Sequence, residues 1–206
     1  MPKPLKNDPD RDLVLACQKD RDVGFQGSFR DLYELYKDRV YNVCYRITGN
    51  ATDALDASQE TFGIIFRKVA EFRFESRFSS WVYRVAVNAS IDLKRRSRSR
   101  GVASLDSIRG SASEDGTQLD FCDERSEAPQ AAASRHELEV EIQEAILRLS
   151  PKMQKITVLR YAESLSYEQI AETLRISLGT VKSRLSRAHA ALDRELSPVI
   201  DRHQIR

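Results

Sequence analysis

The spacing of the apolar residues is the feature that most constrains the fold of this sequence. Apolar side chains recur at three- and four-residue steps in two blocks, one covering residues 25–96 and the other beginning at residue 137. Such spacing places side chains on one face of an α-helix. Runs of β-branched residues are few, and Gly and Pro, at 8 and 6 residues, rarely interrupt the pattern. The sequence therefore predicts an all-α fold made of two small helical domains.

A polar segment separates the two blocks. It is rich in Ser, Gly, Ala and acidic residues, and it starts basic and turns acidic. This composition is typical of a flexible linker. The predicted organisation is an N-terminal segment, a first helical domain, a linker, a second helical domain and a tail, at residues 1–24, 25–96, 97–136, 137–196 and 197–206.

Local signals predict several helix ends within the two blocks. Gly49 follows the first long helix, where a left-handed residue commonly ends a helix. Ser79 or Ser80 is placed to cap the helix that contains the only tryptophan. Ser150 followed by Pro151 predicts another helix start, since Pro is favoured at the first helical position.

Composition excludes several classes of protein. No apolar run approaches the ~20 residues needed to cross a bilayer, and the first twelve residues lack the apolar core of a signal peptide. We therefore expect a cytoplasmic protein with no membrane insertion. Cys17, Cys44 and Cys122 are far apart and the three His residues are scattered, so we expect no disulfide framework, metal site or cofactor. Cys44 lies on an apolar helical face and is predicted to be buried, whereas Cys122 is a candidate free thiol.

Residues 166–188, SYEQIAETLRISLGTVKSRLSRA, are predicted to form two short helices with a tight joint. Ser166 and Gln169 have the S-x-x-Q spacing of a capping box, which starts the first helix. Ser177 is placed to cap the second helix. Arg175 occupies the turn position where Gly is most common, so we consider a left-handed backbone there. This arrangement is typical of a helix-turn-helix unit.

The second of these two helices has opposed faces. On a wheel of ~100° per residue, its apolar residues cluster on one side and its cationic and hydroxyl side chains lie on the other. Long cationic donors beside small hydroxyls suit the major groove of DNA, where Arg or Lys meets guanine and Ser meets several base edges. A basic face exposed only to solvent is the alternative. The predicted base-reading residues are Lys182, Ser183, Ser186 and Arg187, with Arg184 on a phosphate.

A second basic cluster lies at residues 93–100, LKRRSRSR. This cluster follows a predicted helix, and the loop that leads into that helix carries three phenylalanines among charged residues. Phe72 is the first of the three. Interleaved aromatic and basic side chains are typical of proteins that bind single-stranded nucleic acid, because bases stack on the rings and phosphates are neutralised. Packing in the core is the alternative for Phe78 and Trp81.

Four stretches carry a resemblance to a known family, and they occur in the order FRDLYELYKDRVYNVCYRITGN, DALDASQETF, FSSWVYRVAVNASIDLKRR and LSYEQIAETLRISLGTVKSRLSRAHAAL. Together they resemble conserved regions two and four of the extracytoplasmic-function sigma factors, members of the bacterial RNA polymerase sigma-70 family. The resemblance covers residues 25–195. It implies a subunit, not itself an enzyme, that binds core RNA polymerase, directs it to promoter DNA and assists promoter opening. An anti-sigma factor is a further candidate partner.

The resemblance also implies roles for particular residues. The docking surface for the clamp helices of the largest polymerase subunits would comprise Asp56, Gln59, Glu60 and Phe62. Phe72 and Asn88 match positions that capture an unstacked base of the melted −10 element. The basic residues of the same region complete the predicted −10 surface: Arg84, Lys94, Arg95 and Arg96. The −35 element would be read by Lys182, Ser183, Ser186 and Arg187, with Arg184 beside them on a phosphate.

Two other classes of protein compete with this interpretation. A stand-alone helix-turn-helix regulator would carry a phospho-acceptor or ligand pocket in its first domain, and the strand-helix alternation of a receiver domain does not occur in the sequence. A helical nuclease would use carboxylates, and Asp53, Asp56 and Glu60 share a helical face. The sequence shows no histidine near them that would support catalysis.

The linker length also bears on how the two domains would act together. A free linker of ~37 residues spans roughly 35 Å, whereas DNA sites two helical turns apart lie roughly 70 Å apart. A slack linker would seldom hold both domains in register. We therefore expect the free protein to bind promoters poorly and core polymerase to fix the spacing.

Overall fold

A computed structural model describes residues 8–20, 27–104 and 129–203. Across these residues the chain forms eight α-helices and one short 3-10 helix, with no strand. In chain order they are α1 Arg11–Lys19, α2 Ser28–Thr48, α3 Ala51–Lys68, the 3-10 helix Val69–Glu71, α4 Phe78–Ser104, α5 Pro129–Arg148, α6 Pro151–Tyr161, α7 Tyr167–Leu174 and α8 Leu178–His203. The predicted all-α class is confirmed.

The segment predicted as a linker is partly helical. Helix α4 runs on to Ser104, and α5 already begins at Pro129. Residues 105–128 lie outside the described residues, and so does the candidate free thiol of Cys122. None of the helices in the described part of the chain combines the length and the apolar character needed to cross a bilayer.

Helices α1 to α4 form a first bundle around an apolar core. On α2 the buried residues include Leu32, Val40 and Ile47, at the helical spacing that the sequence shows. Burying an aliphatic side chain of this size is worth roughly 1.5–3 kcal/mol. Cys44 lies in the same core, as predicted. Burial raises the pKa of its thiol to about 11, so the reactive thiolate is scarce at neutral pH.

The N-terminal helix α1 is part of this first bundle. Val14 and Cys17 on α1 are buried in the same core as the apolar face of α2. Just before α1, the Asp10 carboxylate accepts a hydrogen bond from the hydroxyl of Tyr36 on α2. Residues that precede the first periodic block in the sequence therefore contribute to the packing of the domain.

The predicted end of α2 at Gly49 is confirmed, and the next residue caps α3. Gly49 has φ +88° and ends α2, with its N–H donating to the Tyr45 carbonyl at 2.9 Å. The Asn50 side chain caps α3 by accepting from the N–H of Asp53 at 2.7 Å. The Asn50 amide also donates to the Asp53 carboxylate at 2.9 Å.

Two other helix starts differ from the prediction. Helix α4 begins at Phe78, so Ser79 and Ser80 lie inside its first turn and do not cap it. The N–H of Phe78 instead donates to the carboxylate of Asp8 at 2.7 Å, a partner 70 residues away that no local pattern indicates. Ser150 does precede α6, yet its side chain makes no capping hydrogen bond.

Helices α5 to α8 form a second bundle with its own apolar contacts. The largest buried side chains include Ile156 and Leu159 of α6, Ile170 of α7 and Leu185 of α8. They come from all three helices that follow α5, so burial of this core fixes the helix-turn-helix pair against α6.

The two bundles pack against each other at the end of α2. Gln143 of α5 and Gln154 of α6 are buried, and both side-chain amides donate to carbonyls of α2. Gln154 donates to Ile47 at 3.1 Å and to Arg46 at 3.3 Å. Gln143 donates to Arg46 at 3.3 Å, and its own amide oxygen accepts from the Arg46 guanidinium at 3.1 Å. These contacts satisfy carbonyls that the end of a helix leaves without partners.

Further contacts extend this packing on both sides. Leu147 of α5 lies over Gly49, where an added Cβ would come within 2.5 Å of its Cδ1 atom. On the other side, the Tyr83 hydroxyl of α4 donates to the carboxylate of Glu163, which follows α6. Burial raises the pKa of Glu163, and this hydrogen bond and the charge of Arg39 oppose the shift. We call these contacts and the two glutamines the interdomain interface.

Candidate nucleic-acid interface

The helix-turn-helix unit consists of α7 and α8. The N–H of Gln169 donates to the Ser166 hydroxyl at 3.2 Å, and the Gln169 amide oxygen accepts from the N–H of Ser166 at 2.8 Å. The predicted capping box is confirmed. The Ser177 hydroxyl accepts from the N–H of Thr180 at 3.1 Å, so the predicted cap of the second helix is also confirmed.

The turn between α7 and α8 contains a left-handed residue. Arg175 has φ 53° and ψ 49° and ends α7. This conformation costs a non-glycine residue roughly 1–2 kcal/mol. The turn offsets that cost with backbone hydrogen bonds from Arg175 to Glu172 at 3.2 Å and from Ile176 to Ala171 at 3.0 Å. The angle between the two helices is therefore set by a tight and well-bonded joint.

Helix α8 presents its polar face to solvent, as its sequence predicts. Val181, Leu185 and Ala188 are buried against the second bundle. The predicted −35 residues Lys182, Ser183, Ser186 and Arg187 are exposed, and Arg184 is half-buried at the edge of this face. A rigid helix with donors on one side and core contacts on the other can be placed in a groove without losing its packing.

The aromatic loop precedes α4. The ring of Phe72 is half-buried, and its centroid lies 5.1 Å from Phe74, 5.3 Å from Phe78 and 5.3 Å from Trp81. Phe78 is completely buried, which confirms the core alternative for that residue, and Trp81 is partly buried. These ring contacts are edge-to-face or tilted, so the cluster can offer the half-buried ring of Phe72 to a base while its inner rings stay in the core.

The basic residues at the end of the first domain have different environments. Lys94 is half-buried, and its ammonium donates to the Ile47 carbonyl at 3.0 Å. Arg95 and Arg96 are exposed and pair with Asp92 at 3.4 Å and Glu60 at 2.8 Å. Exposed ion pairs contribute only about 0–1 kcal/mol, so both guanidiniums can exchange these partners for phosphate at little cost.

The remaining predicted −10 residues face the second bundle. Asn88 accepts a hydrogen bond from the Lys155 ammonium of α6 at 3.4 Å. Arg84 is half-buried, and burial together with the nearby charge of Arg175 lowers the pKa of its guanidinium. Next to the loop, the N–H of Arg77 donates to the Glu172 carboxylate of α7 at 3.1 Å. Helices α6 and α7 therefore lie against the surface that would meet an unstacked base.

The predicted docking residues lie on α3 but do not share one environment. Asp56 and Gln59 are exposed, whereas Glu60 is half-buried and holds the ion pair with Arg96. Phe62 is only 7% exposed and packs edge-on against Tyr33, so it supports the helix from the core.

Two exposed apolar residues on the same helix were missed from the sequence. Leu55 is 47% exposed and Phe66 is also exposed. At ~100° per residue, Leu55, Gln59 and Phe66 fall within about 40° of one another on the helix. The 11-residue spacing of the two apolar side chains is the signal that would have found this face. Exposed apolar side chains gathered on one face are typical of protein contact surfaces.

The carboxylates of the nuclease hypothesis do not form a metal site. Asp53 bonds with Asn50, and Glu60 pairs with Arg96. In the ranges 8–20, 27–104 and 129–203, no three His, Cys, Asp or Glu side chains gather closely enough to hold a metal ion.

Comparisons with known proteins match both domains. Residues 32–100 match the family model Sigma-70 region 2, and residues 139–192 match Sigma-70, region 4. The ECF RNA polymerase sigma factor SigW of Bacillus subtilis is 35% identical over 173 residues, covering 84% of this chain and 91% of that protein. The RNA polymerase sigma-H factor of Pseudomonas aeruginosa is 31% identical over 196 residues, covering 95% and 98%.

Solved structures share the fold of the chain. The CnrH chain in its complex with the cytosolic domain of CnrY has a TM-score of 0.64 at 20% identity, covering 93% of this chain and 99% of that one. The sigma factor RpoE of Bartonella quintana, in complex with the anti-sigma factor NepR, has a TM-score of 0.59 at 22% identity, covering 82% and 96%. At these identities the likeness concerns the fold alone.

Proposed function

Because the chain belongs to the extracytoplasmic-function sigma factors, RNA polymerase subunits that direct the core enzyme to promoters, we propose that its two bundles read different states of DNA. The second bundle binds the −35 element as closed duplex, and the first bundle captures the melted −10 element. The observation that carries this proposal is that one chain contains an aromatic-basic cluster in its region 2 segment and, after it, a helix with an exposed cationic and hydroxyl face in its region 4 segment. In vitro transcription with core polymerase on genomic fragments tests it.

Helix α8 supplies the contacts to the −35 duplex. Lys182 and Arg187 have the reach and the donors to meet guanine acceptors in the major groove, while Ser183 and Ser186 meet neighbouring base edges. Arg184, at the border of the exposed face, positions the helix on a phosphate. A stand-alone regulator would use the same helix, but it would not need the aromatic loop or a docking face on α3.

The loop and α4 supply the contacts to the −10 strand. A base flipped from the duplex stacks on the edge of the aromatic cluster at Phe72, and Asn88 offers an amide to its edge. Stacking of this kind is worth about 1–3 kcal/mol per base and offsets the cost of unstacking. Arg84, Lys94, Arg95 and Arg96 neutralise the phosphates that follow.

Helix α3 supplies the docking surface for core polymerase. The polar contacts come from Asp56, Gln59 and Glu60, and the apolar contact comes from Leu55 and Phe66. This extends the surface that sequence reasoning assigned, since Phe62 acts on it only through the core. A mixed face of this kind is typical of a protein–protein interface, where an apolar centre has a polar rim.

The interdomain interface gives the free chain a closed arrangement. In this arrangement Lys155 of α6 contacts Asn88, and Arg84 is half-buried near Arg175, so the second bundle restricts the approach of a base although Asn88 itself stays exposed. We infer that core polymerase separates the bundles when it sets the promoter spacing. The closed arrangement would therefore make the free chain bind promoters poorly.

Two further assignments belong to the same proposal. A partner that stabilises the closed arrangement would inhibit the chain, and the complex of the RpoE relative with an anti-sigma factor makes such a protein the natural candidate. Co-purification of the chain from its host tests this partner. A sigma factor works on chromosomal DNA, which supports the proposal that the chain acts in the cytoplasm.

A further inference from the structure

The aromatic loop is held from outside by the N-terminal segment of the chain. The amide of Gln18 on α1 donates to the carbonyl of Val69 at 3.0 Å and to the carbonyl of Phe72 at 2.9 Å. These two carbonyls flank the 3-10 helix, since Val69 is its first residue and Phe72 follows its last, where the chain turns into the loop. Gln18 lies outside the segment that matches sigma region 2, which begins at residue 32.

The other end of the loop is held by the same segment. The Asp8 carboxylate accepts from the N–H of Phe78, the first residue of α4, at 2.7 Å. Its second oxygen accepts from the N–H of Asp10 at 3.1 Å, which orients the carboxylate. Asp8 is only 7% exposed. A carboxylate at this place satisfies an unpaired N–H and interacts favourably with the positive end of the helix dipole.

The middle of the loop is strained and is also supported from α1. Phe74 has φ 56°, a left-handed conformation that a bulky side chain rarely adopts. Its ring is buried, and the guanidinium of Arg11 lies 4.4 Å from the ring centroid. Such strain persists only where surrounding contacts over-determine the backbone. The contacts from Asp8, Arg11 and Gln18 supply that constraint, and we call these three residues the N-terminal brace.

We infer that the N-terminal brace positions Phe72 for base capture, with Gln18 as the positioning residue that fixes the Phe72 backbone. The inference rests on the proposed function of Phe72 in the −10 interface. Gln18 does not touch DNA. It sets the place of the Phe72 ring by holding the carbonyl of the same residue, so its effect falls on promoter opening and not on docking or on the −35 contact.

The experiment compares variants that keep the shape or the donors of Gln18. Gln18→Met keeps the length and removes both hydrogen bonds, whereas Gln18→Lys keeps a donor for the two carbonyls. Lys19→Met, at the exposed neighbouring position, is the matched control. With holoenzyme, Gln18→Met is expected to slow open-complex formation about tenfold, which corresponds to one or two net hydrogen bonds. Gln18→Lys is expected to open promoters at close to the native rate, and Lys19→Met is expected to open them at the native rate.

A second readout reports the loop without any DNA. Trp81 is the only tryptophan of the chain and lies 5.3 Å from Phe72. Acrylamide quenching of Trp81 fluorescence in the full chain is therefore expected to increase in Gln18→Met and to stay native in Lys19→Met. Unchanged quenching together with native opening by Gln18→Met would overturn the inference.

The outcomes separate this inference from the proposed function. If Phe72→Ala slows opening and Gln18→Met does not, base capture stands and the brace is refuted. If both variants open promoters at the native rate, the proposed role of Phe72 fails and the inference fails with it. If Gln18→Met loses core binding by the same factor as it loses opening rate, Gln18 supports the general fold. That result would also refute a positioning role.

Discussion

Weakening the interdomain interface should make the free chain bind single-stranded −10 DNA more tightly. Gln154 is the most direct point of attack, because it is 2% exposed and its amide donates to two carbonyls of α2. Gln154→Ala removes both hydrogen bonds in the closed arrangement. In the open arrangement the same amide would be hydrated, so its removal there costs little.

The magnitude follows from these two contacts. A net hydrogen bond is worth about 0.5–1.5 kcal/mol, so Gln154→Ala should shift the balance toward the open arrangement by about 1–3 kcal/mol. This range corresponds to a factor of about 5–150 in population. Because the apparent Kd scales inversely with the fraction of binding-competent molecules, affinity should rise by up to that factor until the open arrangement predominates.

The assay is fluorescence anisotropy with a labelled non-template −10 strand from a promoter that the holoenzyme transcribes. Lys152→Ala is the matched control, since Lys152 is an exposed residue on the same helix. Small-angle X-ray scattering should show a larger radius of gyration for Gln154→Ala than for the control. If Gln154→Ala binds the strand no more tightly than the native chain while its radius of gyration increases, the second bundle does not mask the −10 surface.

Three further substitutions test the separate surfaces. Arg187→Ala should cost about 1–3 kcal/mol of binding free energy at one −35 base pair, measured by holoenzyme binding to a panel of promoter variants. The control Arg194→Ala removes an arginine of the same helix with a similar hydrogen bond, and it should not change binding at that base pair. Uniform loss across the panel would assign Arg187 to a phosphate. Phe72→Ala should slow open-complex formation with core binding intact, and native permanganate reactivity of the melted strand would contradict base capture. Leu55→Ser should weaken core polymerase binding in a pull-down, whereas Val140→Ser, with a similar 44% exposure on α5, should leave it unchanged. If core polymerase retains both variants equally in the pull-down, Leu55 is not part of the docking surface.

Features that depend on neighbours within a few residues could be predicted from the sequence. The capping box of Ser166 and Gln169 and the glycine end of α2 involve partners three or four residues apart. The opposed faces of α8 follow from helical periodicity alone. For these elements the local chemistry determines the conformation, and the packing of the protein agrees with it.

Features that depend on distant partners could not be predicted. Gln154 is a polar residue in a helical pattern, so the sequence indicates a solvent-facing side chain, yet its partner Ile47 lies 107 residues away. Gln18 and Asp8 bond across 54 and 70 residues in the same way. Phe62, which the family resemblance places among the docking residues, is buried, because α3 carries apolar residues on two faces and only the packing shows which one faces the core.

The central claim is that one bundle grips an opened strand, the other grips closed duplex, and core polymerase sets the distance between them. Footprinting of a single promoter with the chain alone and with the chain plus core polymerase tests it most directly. We expect protection of the −35 duplex and permanganate-reactive thymines at −10 to appear together, and only when core polymerase is present. Both signals from the chain alone, or neither signal after core polymerase is added, would contradict it.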